Sequence, residues 1–125
     1  MAMTKGAVSV TVASGETSGH GTTAQIVGEL AAIALVLPDG APVGAQYHIY
    51  QTAPQITLLE VSGQQVADQD DNLFCPRKNA DTQDGQPIGG GDTPFPAIIP
   101  LHSSVRMDVS GAVPGIYVAY LYYNK

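Results

Sequence analysis

Cys75 is the only cysteine of this 125-residue chain, and Arg77 and Lys78 follow it within three residues. Cations beside a thiol favour the thiolate, the form that acts as a nucleophile. The thiol also ends the apolar run Leu73-Phe74-Cys75, where a free cysteine packs as a small hydrophobe. A nucleophile needs a base within hydrogen-bond reach, and no residue is spaced to serve as one. His20, His48 and His102 are scattered along the chain and form no H-x-x-x-H or H-x-H pair. Ser18 and His20 in "TSGHG" stand too close in sequence for the imidazole to reach the hydroxyl, and no G-x-S-x-G elbow is present. The expectation is a protein with no catalytic residues, not an enzyme.

Metal and phosphate chemistry fare no better. "DTQDG" (81–85) and "DQDDN" (68–72) look like fragments of a calcium loop. The first has Gln83 where a carboxylate or amide oxygen ligand of shorter reach is wanted, and no glutamate arrives at the twelfth position. Asp with Gly forms turns in its own right. "GETSGHG" and "GGGD" are glycine-rich but neither opens a helix nor carries the lysine of a phosphate loop. No metal or cofactor is expected. Six tyrosines (Tyr47, Tyr50, Tyr117, Tyr120, Tyr122 and Tyr123) fall in two segments. They suit a sugar-stacking platform, but the chain has no tryptophan, and tyrosine covers sheets while keeping its hydroxyl wet. A core or interface role fits them better.

These residues must be positioned by strands. Val8, Val10 and Val12 alternate with Ser9 and Thr11, the period of a half-buried strand. "GETSGHGTTA" (15–24) reads as a polar turn. In "QIVGELAAIALVLPDG" (25–40), Ile33, Leu35 and Leu37 keep a period of two, and Gly28 marks a bulge where the alternation changes phase. "QYHIYQT" (46–52) places His48 opposite Tyr47 and Ile49, at the surface; "QITLLEVSG" (55–63) follows a break at Ala53-Pro54 that belongs at an edge or bend. "QQVADQDDN" (64–72) reads as acidic turn and "LFC" (73–75) as a short strand. Val105, Met107 and Val109 alternate with Arg106 and Asp108. The last strand (114–125) carries Ile116, Val118, Tyr120 and Tyr122 on one face and Tyr117, Ala119, Leu121 and Tyr123 on the other, so both faces read as covered. The pattern predicts one all-β domain over residues 1–125. Its form is a single antiparallel β-sandwich or jelly roll of about seven to eight strands, with no helix. One irregular loop, roughly 76–97, interrupts it.

Composition narrows the partners. Charged residues are 13% of the chain, about half the usual share, and the net charge is −6. That balance excludes binding to nucleic-acid backbone or to anionic membrane, both of which need clustered Lys and Arg. "MAMTKGAVSVTVASGETSGH" has no apolar core of a signal peptide, and "ELAAIALVLP" is too short to span a bilayer.

The order of segments resembles a known group. The Val/Thr first strand, "GELAAIALVLPDG", "YHIY" with "ITLLEVSG", "FCPRKNADTQDG", "PFPAIIPLHSSVRMDVSGAVPG" and the terminal "IYVAYLYY" are similar to small all-β structural proteins of tailed bacteriophage virions. Pro76-Arg77 matches the Pro-Arg that starts their long loop, and Ile98 to Leu101 the strand after it. The resemblance implies a non-enzymatic virion component made in the host cytoplasm. Its favoured place is the outer surface of the head, as a decoration (cement) protein that binds the major capsid protein and forms a homo-oligomer, a trimer above all. A neck, tail or fibre-anchor protein, or a glycan-binding β-sandwich module, is the alternative. The partner-contacting residues expected are Phe74, Arg77, Lys78, Pro94, Phe95 and Pro96. Prolines stiffen this apolar arm, so ordering it on docking costs less entropy. Arg77 is equally suited to an ion pair with Asp68, Asp70 or Asp71. Replacing Phe95 with Ala is expected to weaken attachment to particles with the isolated fold intact. Equal attachment, or a large drop in the melting temperature of the free protein, would remove the arm from the contact.

Overall fold

The computed structural model describes residues 3–68, 72–76, 78–79 and 96–125. Two antiparallel sheets face each other across one core, so the all-β sandwich expected from the alternation is what forms. The first sheet has the order β1 (Met3–Val12), β11 (Gly115–Asn124), β3 (Gly28–Val36). Two short strands, β6 (Leu73–Phe74) and β9 (Pro100–Leu101), share the remaining edge of β3. The second sheet has the order β2 (Gly19–Thr22), β10 (Val105–Ser110), β4 (Gln46–Thr52), β5 (Gln55–Ser62). A separate ribbon pairs β7 (Lys78–Asn79) with β8 (Pro96–Ala97). Seven strands are thus four residues or longer, and the other four have two residues each.

Alternation places the core. Val8, Val10 and Val12, then Leu30, Ile33 and Leu35, then Tyr117, Ala119 and Leu121 turn inward from the first sheet. Tyr47 and Ile49 with Val105, Met107 and Val109 meet them from the second. The Tyr117 hydroxyl, near the start of β11, donates to the Val113 carbonyl (2.8 Å) and accepts from the Val113 N–H (3.2 Å), a tyrosine corner that ties the entry of the strand to the loop before it. Tyr47 stacks near it, ring centroids 6.0 Å apart, with a buried hydroxyl that has no hydrogen-bond partner among the described residues. Burial first, and the neighbouring Tyr117 second, push its pKa up to about 12.

Two devices join the sheets. Gln51 on β4 is fully buried. Its amide donates to the Pro100 carbonyl (2.8 Å) and accepts from the His102 N–H (2.9 Å), holding the β9 segment of the other sheet. The second is an absence of side chain. Gly19 and Gly21 face inward on β2, against β1. A Cβ on Gly19 would lie 3.1 Å from the Thr11 carbonyl oxygen, and one on Gly21 would overlap the Ser9 carbonyl oxygen. The outermost strands of the two sheets therefore meet backbone to backbone.

Several expectations are corrected. The "polar turn" at 15–24 contains β2, because its inward positions are glycines and carry no hydrophobic signal. The stretch read as acidic turn begins with a helix, α1 (Gly63–Ala67), started by a reciprocal cap: Gln65 N–H donates to the Ser62 hydroxyl (3.2 Å) and Ser62 N–H to the Gln65 side chain (2.8 Å). The bulge in β3 falls at Ala31, where Leu30 pairs with Tyr123 and Ala32 with Tyr122, and not at Gly28. Gly28 instead opens the strand, where a Cβ would overlap the Asn124 carbonyl oxygen. The last strand is buried on one face only; Ile116 on the other is 59% exposed. The Ala53-Pro54 break, by contrast, falls at a bend beside the edge strand as expected: it is a hairpin turn between β4 and β5, with a cis peptide.

Gly21→Ala is expected to destabilise the chain at the upper end of the roughly 1–3 kcal/mol typical of overpacking, since only backbone stands in the way. Gly44→Ala, with nothing within 4 Å of the added carbon, is expected to stay within about 0.5 kcal/mol. Urea unfolding of both variants checks the contrast, and equal losses would disprove the contact.

Candidate functional site

The two outer sheet faces have opposite chemistry. On the first sheet, cross-strand partners form rows: Thr11 with Ile116; Ser9, Val118 and Val36; Ala7, Tyr120, Ala34 and Leu73; Lys5, Tyr122 and Ala32. The members are small or apolar, with Lys5 the single charge in these four rows. Its ammonium sits over the Tyr120 ring, 4.3 Å from the centroid, a cation–π contact that uses the ring's electron-rich face. Val36 is 49% exposed and Met3, at the end of β1, 55%. Around the Ala31 bulge the face dips into an apolar depression lined by Met3, Ala31, Ala32, Ala34, Leu73 and Tyr122.

The second sheet presents a polar row across all four strands. Asp108 on β10 pairs with His20 on β2 and with His48 on β4, and His48 pairs with Glu60 on β5. The next row runs Thr22, Arg106, Tyr50, Thr57. Asp108 is the hub. It accepts from Arg106 Nε (2.7 Å) on one oxygen and from the Tyr50 hydroxyl (2.9 Å) on the other. The His48 ring lies 4.5 Å from the Tyr50 ring, and its Nε2 is 2.8 Å from the Thr57 hydroxyl and 3.7 Å from a Glu60 oxygen.

The electrostatics follow from these contacts. Partial burial works against the Asp108 charge, but the hydrogen bonds from Arg106 and Tyr50, with the nearby Arg106 and His20, outweigh it and hold the carboxyl below the usual carboxylate range. Donation to Asp108 raises Arg106 in turn. Tyr50 is raised by desolvation and then by its bond to Asp108. The arrangement holds planar donors and acceptors at fixed spacing, and suits hydrogen bonding more than proton transfer. Among the described residues no three His, Cys, Asp or Glu side chains are placed to hold a metal ion.

The residues singled out earlier are dispersed. Cys75 is exposed, where an apolar run suggested a buried thiol, and it follows β6 of the first sheet, whereas His20 and His48 belong to the second. His102 lies just after β9, its backbone held by Gln51. Phe74 is half-buried and packs against the core, which leaves less of its ring to offer a partner. Lys78 and Pro96 are in the β7–β8 ribbon. Arg77, Pro94 and Phe95, the side chains of Lys78 and Pro96, and Asp70 and Asp71 lie outside the described residues. Asp68 accepts from the Gln64 side chain at 3.0 Å. Sequence reasoning placed His48 at the surface and missed its convergence with His20 on Asp108, which is set by the register between strands.

No family model, no curated protein and no solved structure matches this chain.

Because the folded Asp108 carboxyl titrates below its unfolded value, its contribution is fully present above about pH 4 and is lost as pH falls through the lower folded value. With the side chain 39% exposed, solvent screens much of it. Asp108→Asn is expected to lower the melting temperature by a few degrees at pH 7, with the gap to the unaltered chain narrowing as pH falls below about 4. A gap that stays constant with pH would separate the effect from ionisation.

Proposed function

We propose that this chain is a non-enzymatic structural protein of a phage virion, a decoration protein that docks on the major capsid protein at the outer surface of the head. The observation that carries the reading is the apolar outer face of the β1–β11–β3 sheet. Exposed large hydrophobics scattered singly are ordinary, but here exposed Ile116, Val36 and Leu73 adjoin half-buried Val118, Tyr120 and Tyr122 on one sheet face, the continuity expected of a contact surface. The chain's low share of charge and its resemblance in segment order to virion proteins point the same way.

Size sets how the face works. Three strands and four rows span about 15 Å by 27 Å at usual strand spacings, or about 400 Å². A standard interface needs about 800 Å² from each partner, so the face alone is a weak anchor. Two additions make up the difference. β6, at the edge of the same sheet, precedes the 76–97 segment with the candidate contacts Arg77, Lys78, Pro94, Phe95 and Pro96, whose described ends pair as the β7–β8 ribbon. A homo-oligomer, with a trimer favoured, multiplies weak contacts into avidity. Nucleic acid and membrane are not partners in this reading, consistent with the net charge of −6.

Ala34 lies between Tyr120 and Leu73 on this face, and an arginine there leaves the core untouched while placing a charge where apolar contact is needed. Ala34→Arg is expected to reduce the copies bound per particle at least tenfold (about 1.4 kcal/mol or more), with the melting temperature of the free protein nearly unchanged. Mass spectrometry of purified virions gives the copy number. Attachment equal to the unaltered chain would overturn the docking face. A few copies per particle in the unaltered virion would move the protein to the neck or tail.

A further inference from the structure

The polar row on the second sheet lies on the opposite side of the sandwich from the docking face, and its chemistry narrows what it suits. We infer that the outer face of the β2–β10–β4–β5 sheet binds a neutral saccharide around His20, Arg106, Asp108, Tyr50 and His48, a role beyond virion attachment.

Charge decides first. The Arg106 guanidinium is compensated by Asp108 at 2.7 Å, and Glu60 adds a second carboxylate at the end of the row. An anion therefore meets little uncompensated positive charge here. A metal ion lacks a ligand set among the described residues. An apolar ligand would strip water from charged groups without replacing their hydrogen bonds, which is costly. A neutral ligand that both donates and accepts is the remaining match.

The inventory fits such a ligand. Each Asp108 oxygen accepts one bond described above and keeps a second lone pair. Arg106 carries N–H groups on its two Nη atoms besides the Nε bond, and each imidazole is a donor and an acceptor. Ser18, Gly19, His20, Arg106, Asp108 and Ser110 line a shallow polar depression at one end of the row. Beside it the His48–Tyr50 ring pair supplies an aromatic surface for the C–H face of a sugar ring. Hydrogen bonds to Asp108 and Thr57 hold Arg106, Tyr50 and His48 before anything binds, so little of their rotamer entropy remains to be lost.

The test is a nuclear magnetic resonance titration of the isotope-labelled full chain with glucose, galactose, mannose and N-acetylglucosamine at millimolar concentration. At least one sugar is expected to shift resonances around Asp108 in β2, β10 and β4. The affinity should fall about tenfold or more in Asp108→Asn, as for a lost hydrogen bond to a charged group, and stay unchanged in Tyr120→Ala on the other face. Tyr50→Phe, which keeps the ring and removes its bond to Asp108, serves should Asp108→Asn fail to fold. No shift with any of the four sugars overturns the inference. So do shifts centred on Tyr120 and Tyr122, or tighter binding of inorganic phosphate at the row. No particle enters the experiment, so its result stands apart from whether the chain docks on a virion.

Discussion

The approach of β2 to the backbone of β1 is the constraint on which the rest of this fold depends. Everywhere else the sheets are separated by interdigitating side chains, at a spacing of about 10 Å in typical sandwiches. At Gly19 and Gly21 they close to backbone contact. That closure shelters the outermost strand of each sheet on one side of the molecule. On the other side, Gln51 holds the β9 segment, and β9 and β6 occupy the edge of β3. The eight-residue β5 is the outer strand of the second sheet there, and the bulge opposite Ile49/Tyr50 breaks the regularity that edge-to-edge pairing needs.

With the interior closed this way, the two outer faces are free to diverge. One carries alanines, valines and tyrosines with a single lysine across four rows, while the other carries a compensated row of imidazoles and carboxylates. Neither set is required by the core, since every core residue points the other way. The asymmetry is a property of the outward phase of each strand alone. A sandwich that needed only solubility would put similar polar residues on both faces.

What was legible in the sequence follows the same logic. Val8, Val10 and Val12, and Val105, Met107 and Val109, announced their strands because their inward phase is filled by large apolar side chains. β2 was not legible, since its inward phase is filled by glycines that pack through backbone. The bulge at Ala31 is hidden by Ala31-Ala32, two residues without hydrophobic contrast, and Gly28 nearby carries the stronger local signal. The helix did have a signature, Ser62 with Gln65 three residues on, but five residues make too short a run for periodicity to show. The polar row depends on register between strands far apart in sequence, which no local pattern records. For the apolar outer face the signal is present, in Tyr120 and Tyr122 alternating with core residues. The same alternation of apolar residues also fits a strand covered on both faces.

The position of β11 has a kinetic meaning. Residues 115–124 form the middle of their sheet, bonded to β1 on one side and β3 on the other. Until they leave the ribosome, β1 has no partner in its own sheet, and Val8, Val10 and Val12 have no completed layer to bury against. The first sheet therefore closes only through pairings over long sequence separations, the topology that folds slowly. Until β11 is in place β1 and the facing side of β3 stand unpaired, so the pairing that completes the core also removes two sites of edge-to-edge association.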